Sequence, residues 1–156
     1  MIELHKLIKR EDKLLLGIDP GNTTGFIFFN ESALYPLLRA WEEKIIVDNQ
    51  YNWDIIINLI AALPKNSMIV MENYRVYSNK LQRHSFSEVP TLRLIGGIML
   101  KAHEHNIPII FQMAQTAKQF ITDDKLAAWG LLKSTTRHSR DALRHVLYYC
   151  ITKKNR

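Results

Sequence analysis

Two carboxylates stand where the chain turns out of apolar runs. Asp19 ends Leu14-Leu15-Leu16-Gly17-Ile18 and is followed by Pro20-Gly21-Asn22 and Gly25, while Glu72 ends Met68-Ile69-Val70-Met71. A short apolar run that stops at turn residues is expected to be a buried strand. Acids at the carboxyl ends of strands open into the crevice where α/β sheets take their ligands. Further along, His138 and Asp141 are three residues apart in an amphipathic segment, which sets them side by side on one helical face. Behind them Ala142, Leu143, Val146, Leu147 and Cys150 form a stripe that packs the helix onto the sheet. Oxygen-rich clusters of this kind suit Mg2+ or Mn2+, and two such ions roughly 3.5–4 Å apart stabilise the attacking and leaving oxygens of phosphodiester hydrolysis. Taken singly, each residue has a commoner explanation: Asp before Pro-Gly forms turns, a strand-end Glu lies on the surface, and His-x-x-Asp makes a solvated pair. Their ordered placement is what points to a shared site.

Other residues have chemistry of their own. The stretch from Asn73 to Pro90 is long and polar enough for a functional loop, and it mixes Tyr74 and Tyr77 with Arg75, Lys80, Arg83 and His84. Aromatics interleaved with bases suit a loop that stacks on nucleobases or pries strands apart; an unstructured polar loop has the same composition. Lys118 lies in Gln115-Thr116-Ala117-Lys118-Gln119, after a strand expected to end near Gln112 beside the strands of Asp19 and Glu72. From there an ammonium reaches the same crevice, where it would stabilise charge developing on a scissile phosphate. The competing reading is a surface lysine at the start of a short helix. His103-Glu104-His105 lacks the i, i+4 histidine spacing of zinc proteases and reads as solvated surface. His145, one turn after Asp141, is a rival ligand, but its place deeper along the helix makes it a partner of Asp141 or a bystander.

These groups need a frame. Leu14 to Ile18 and Phe26 to Phe29 are expected as strands, and Leu37-Leu38 with Ile45-Ile46-Val47 as a third that completes an antiparallel meander. Ile56, Ile57, Ile60 and Leu63 recur at helical spacing from Trp53 until Pro64. Met68 to Met71 is a strand, Leu92 to Ala102 a helix, Ile107 to Phe111 a strand, Thr116 to Leu132 short helices, and Arg137 to Ile151 a final helix. Strands alternating with helices after a meander predict a single α/β domain with a mixed central sheet flanked by helices. The domain is expected over residues 14–153, between a lead of residues 1–13 and a basic tail of residues 154–156. Gly96-Gly97 inside a helix costs roughly 1 kcal/mol per glycine relative to alanine, which predicts close packing against the sheet or a second subunit.

Composition limits the function classes. The chain has 156 residues, 47% hydrophobic and 23% charged, which fits one globular domain and excludes a disordered or collagen-like chain. Cys150 is the single cysteine, so neither an intramolecular disulfide nor a multi-cysteine zinc site is available, and a reducing cytoplasm is the expected compartment. Met1 to Lys13 has no apolar signal core and no apolar run is long enough to span a bilayer, so neither export nor membrane insertion is expected. The net charge is +6, and residues 133–156 alone carry that excess: Lys133, Arg137, Arg140, Arg144, Lys153, Lys154 and Arg156 against Asp141. Such a stretch is either a solvated helix face or an electrostatic footprint for nucleic acid.

Taken together, Leu16-Gly17-Ile18-Asp19-Pro20-Gly21 with Thr24-Gly25, Ile69-Val70-Met71-Glu72, Leu94-Ile95-Gly96-Gly97, Gln115-Thr116-Ala117-Lys118-Gln119 and His138-x-x-Asp141-Ala142 resemble the RuvC family of Holliday junction resolvases, within the ribonuclease H-like superfamily. The resemblance runs from about Leu14 to Cys150. Asp-x-Gly alone is shared with actin-like ATPases, but those need a second lobe that this chain is too short to supply. The resemblance implies a metal site of Asp19, Glu72, His138 and Asp141, holding Mg2+ or Mn2+ as two ions, with Lys118 as a further catalytic residue. It implies paired incision of four-way DNA junctions by a homodimer, contacts to DNA from Tyr74, Arg75, Tyr77, Lys80, Arg83, Arg137 and Arg140, and a branch-migration helicase as a further partner. The family often has Asp where this chain has His138, which makes the site less anionic. The lead before the first strand and the short length are similar to phage members, giving a bacterial or phage-infected cytoplasm as the expected location. The nearest rival reading is an RNA-processing nuclease similar to the YqgF-like proteins; a non-catalytic nucleic-acid-binding domain is disfavoured because no ligand position is missing.

Overall fold

The computed structural model describes residues 13–33, 36–74 and 89–153. β1 (Leu14–Asp19) is antiparallel to β2 (Thr23–Asn30), and β2 to β3 (Leu37–Lys44). On its other side β1 runs parallel to β6 (Met68–Glu72), and β6 parallel to β7 (Ile109–Gln112). The order β3-β2-β1-β6-β7 is the mixed sheet expected from a meander followed by alternating elements. Helices α1 (Trp53–Ala61), α2 (Pro90–Glu104), α3 (Ala114–Phe120), α4 (Asp123–Ala128) and α5 (Arg137–Thr152) flank it.

The period of two along each strand divides the core between the sheet's faces. Leu16, Ile18, Phe26, Ile69 and Met71 pack with Ile56 and Ile60 of α1 and with Leu94 and Ile98 of α2. Leu15, Ile27, Phe29 and Val70 pack with the α5 stripe of Ala142, Leu143, Val146, Leu147 and Cys150, all fully buried. Each Leu or Val so buried is worth about 1.5–3 kcal/mol, whereas an exposed ion pair contributes about 0–1 kcal/mol. Apolar packing therefore fixes α5, and its polar first turns are carried into place. By the same alternation Asp19, Glu72 and Gln112 fall on the face that α5 covers.

Three expectations need correction. Ile45-Ile46-Val47 does not belong to the third strand: β3 is Leu37–Lys44, an edge strand whose residues are half-buried or exposed, so it presents no apolar run to the eye. Ile46–Val47 (β4) instead folds back on Gln50–Tyr51 (β5) across Asp48 and Asn49, both at positive φ, the left-handed pair that a two-residue hairpin uses. The last strand of the sheet, β7, starts at Ile109, not Ile107, because Pro108 has no N–H to give the ladder; its carbonyl still accepts from the Ile69 N–H at 2.9 Å. Gly97 packs on a helix rather than on the sheet: a Cβ there would overlap the Trp53 indole, so α1 and α2 meet at this point, while Gly96 faces open space. Among the described residues no helix is long and apolar enough to cross a membrane.

Candidate active site

The site is built on a row across three strands. Asp19 is opposite Gly25, and Gly25 is opposite Glu42. Residues opposite one another share a sheet face, and the middle one has no side chain. A Cβ on Gly25 would overlap the backbone of His138 and Ser139, so the first turn of α5 rests directly on this glycine. Thr136 caps that turn, with its own backbone N–H donating to Ser139 Oγ at 2.9 Å. From this seat His138 reaches both ways: its Nδ1 lies 3.0 Å from Asp19 Oδ2, and its backbone N–H donates to Glu42 Oε2 at 3.3 Å. Hydrogen bonds from the Thr136 hydroxyl and then from the His138 N–H hold the Glu42 carboxyl below its ordinary range. Glu42 was not foreseen; in Trp41-Glu42-Glu43-Lys44 it looks like one charge on a solvated strand, and nothing local marks it.

Ile18 pairs with Met71 in register, which brings the next residues, Asp19 and Glu72, to the same end of neighbouring strands. Burial pushes the Asp19 carboxyl up to about 6, opposed by the His138 hydrogen bond and reinforced by the charges of Glu72 and Asp141. Glu72 goes the other way: His145, with Nε2 3.8 Å from Glu72 Oε2, holds its carboxyl low against the effect of burial. Asp141 meets Lys118 Nζ at 2.9 Å and the Arg144 guanidinium. Arg144 also binds the Ile121 carbonyl at 3.1 Å and Asp123.

An open cleft of about 400 Å3 brings Asp19, Glu72, His138, Asp141 and Lys118 together, with Tyr74 and Arg137 on its wall. A larger hollow of about 650 Å3 between β7 and the second half of α5 contains none of these acids. Lys118 stands where the sequence predicts, from the helix after β7. His145, expected as a partner of Asp141 or a bystander, is buried against Glu72 and Gln112 instead, because the fourth residue after Asp141 has turned inward toward β6 and β7. The basic stretch is also not one free face. Arg144 and Lys153 are 14% and 13% exposed and pair with Asp141 and Glu31, and Arg140 donates to the Thr135 carbonyl and hydroxyl at 3.4 Å. Arg75, Tyr77, Lys80 and Arg83 lie outside the described residues, as do the tail residues 154–156.

Asp19, Glu72 and Asp141 offer hard carboxylate oxygens and His138 an imidazole nitrogen, donors that suit Mg2+ or Mn2+. Among the described residues no three His, Cys, Asp or Glu side chains converge on one point in metal-binding geometry; each carboxylate faces a nitrogen of His138, His145, Lys118 or Arg144 instead.

No protein-family model matches the sequence, and no curated protein matches it. The structure is similar to that of Thermus thermophilus RuvC in complex with a Holliday junction substrate, with a TM-score of 0.65 and 17% identity over 92% of this chain and 96% of that one. A second Thermus thermophilus RuvC structure gives a TM-score of 0.60 and 18% identity over 91% of this chain and 96% of that one. The sheet order and flanking helices described above are thus those of a RuvC-like, ribonuclease H-like fold in a single domain.

Proposed function

We propose that this protein is a structure-selective endodeoxyribonuclease that hydrolyses phosphodiesters of four-way junctions and related branched DNA, using Mg2+ or Mn2+ and acting as a homodimer. The observation that carries this reading is that three carboxylates, His138 and Lys118 line one open cleft at the carboxyl ends of β1 and β6. The donor set fits divalent cations; burial raises Asp19 and the charges of Glu72 and Asp141 add to it, and a bound cation would offset that repulsion. Asp19, Glu72, His138 and Asp141 would hold the metal, most simply as two ions. When bound, it supplies Lewis-acid polarisation of the phosphate and a nucleophilic water at neutral pH.

The chain's own residues do the rest. Lys118 is anchored on Asp141, on the cleft wall, with its side chain 47% exposed; from there it stabilises charge on the phosphoryl oxygens. Arg137, exposed on the same wall, holds a flanking phosphate, an electrostatic contact that positions the duplex without reading its sequence. Tyr74, partly buried against the core beside the cleft, offers a ring on which a displaced base stacks. The exposed side of α2 gives the homodimer its surface, since paired incisions require two sites about a twofold axis.

A gel comparing a mobile four-way junction, a flap, linear duplex and structured RNA, each with and without Mg2+, tests the reading. Paired, metal-dependent incision of the junction, with little cutting of linear duplex, is expected. Cleavage of the RNA in preference to every DNA substrate would overturn it in favour of an RNA-processing nuclease.

A further inference from the structure

The third turn of α5 buries an imidazole that the four-residue site does not use. His145 is fully buried, and its Nε2 has no hydrogen-bond partner. Leaving such a group unpaired costs on the order of 1–3 kcal/mol, so a ring held only to fill the core would be better replaced by an apolar side chain. The orientation shows where the ring is directed. Nδ1 lies 3.4 Å from Gln112 Oε1, and Nε2 faces Glu72 Oε2 across 3.8 Å. Glu72 and Gln112 are register partners at the ends of β6 and β7, so one ring from the covering helix bridges both strand ends.

Glu72 has reason to need such a support. A glutamate has three side-chain torsions, and fixing a long side chain costs up to about 2 kcal/mol of rotamer entropy. Asp19 is shorter and meets His138, and Asp141 is gripped by Lys118 and Arg144. His145 is the matching group for Glu72, and it is the largest influence holding that carboxyl below its ordinary range. We propose that His145 is a positioning residue: braced on Gln112, it holds one oxygen of Glu72 and so directs the other into the cleft. The inference deepens the nuclease reading of the same site and rests on it.

Three variants of the full chain separate this role from packing. His145→Leu removes both ring nitrogens, His145→Gln keeps a donor near the place of Nε2, and His145→Asn keeps one near the place of Nδ1. Melting temperature is measured without metal and during Mn2+ titration, alongside single-turnover cleavage of a four-way junction. We expect His145→Leu to melt no lower than wild type without metal, yet to need 10–100-fold more Mn2+ for half its stabilising shift and to cut 10–100-fold more slowly at saturating DNA, the range found when a ligand's supporting partner is lost. His145→Gln recovers most of both losses, and His145→Asn recovers neither. The proposal is overturned if His145→Leu cuts at the wild-type rate, or if its melting temperature falls in step with its rate. It is also overturned if His145→Asn rescues as well as His145→Gln, a comparison that holds even if the leucine variant fails to fold. If wild type is stabilised by Mn2+ but cuts no DNA, the nuclease reading fails and the Mn2+ shifts alone decide the role of His145. A wild type neither stabilised nor active overturns both.

Discussion

Asp19 is kept at a cost that its protonation makes measurable. Its carboxyl titrates at about 6 in the folded chain against 3.8 for an ordinary aspartate, chiefly because it is buried. Between those values the folded state holds a proton that the unfolded state has lost, so stability falls as pH rises through the window and the full cost is present above pH 6. Two pH units correspond to roughly 3 kcal/mol. Asp19→Asn carries no such charge. It should therefore melt above wild type at pH 7.5 without metal, the advantage vanishing as the pH approaches 4, and thermal melts across that range check the sign. The same variant should abolish cleavage while leaving junction binding largely intact, since binding comes from basic contacts to phosphates. Lys118→Ala should slow single-turnover cleavage by at least tenfold, about 1.4 kcal/mol of barrier, while changing junction affinity much less. If instead the rate holds and only the salt dependence of binding becomes shallower, Lys118 is a remote backbone contact.

At the scale of elements, the contact that matters most is between β2 and the start of α5. Gly25 is the place where a helix backbone touches a sheet backbone, and backbone cannot swing aside as a flexible side chain does. Gly25→Ala should cost roughly 3 kcal/mol, the upper range for overpacking a well-filled site, and should lower activity further by lifting His138 away from Asp19. Denaturant unfolding together with single-turnover rates checks both parts. Glycine 97 supplies a milder comparison. The group it meets is the Trp53 side chain, and neither residue lines the cleft, so Gly97→Ala should destabilise without changing the rate per folded molecule.

At the scale of the whole molecule, α2 carries an unpartnered apolar strip. Leu92, Met99 and Leu100 are 44%, 46% and 63% exposed, with Gly96 between them facing open space. A second copy packed there would bury the strip about a twofold axis, as the proposed paired incision requires. Light scattering at micromolar concentration should give a dimer mass, and Leu100→Glu a monomer that still folds cooperatively, its melting lowered only by the stabilisation that dimerisation supplies, because this side chain is 63% exposed and contributes little to its own core. A wild-type monomer, with and without junction DNA, would point to a nuclease that makes single cuts.

The sequence alone settled what is local. Apolar runs closed by turn residues placed β1 and β6 and put Asp19 and Glu72 at their ends, and the 3.6-residue period of Ala142, Leu143, Val146, Leu147 and Cys150 set the buried face of α5 and, with it, the side on which His138 and Asp141 stand. Burial dominates the energetics of those elements, and burial is written in side-chain type and spacing. Tertiary structure decided every pairing across the chain. Gly25, Glu42 and His138 meet through strand register and a helix crossing, and neighbouring residues do not encode where a distant segment lands. For the same reason the sequence does not show the limits of β3, an edge strand whose residues are half-buried or exposed, and it offers His145 only as a partner of Asp141, its neighbour along the helix, or as a bystander. The direction of a buried ring depends on what lies beneath the helix, and beneath this turn lie the paired ends of β6 and β7, with Glu72 and Gln112.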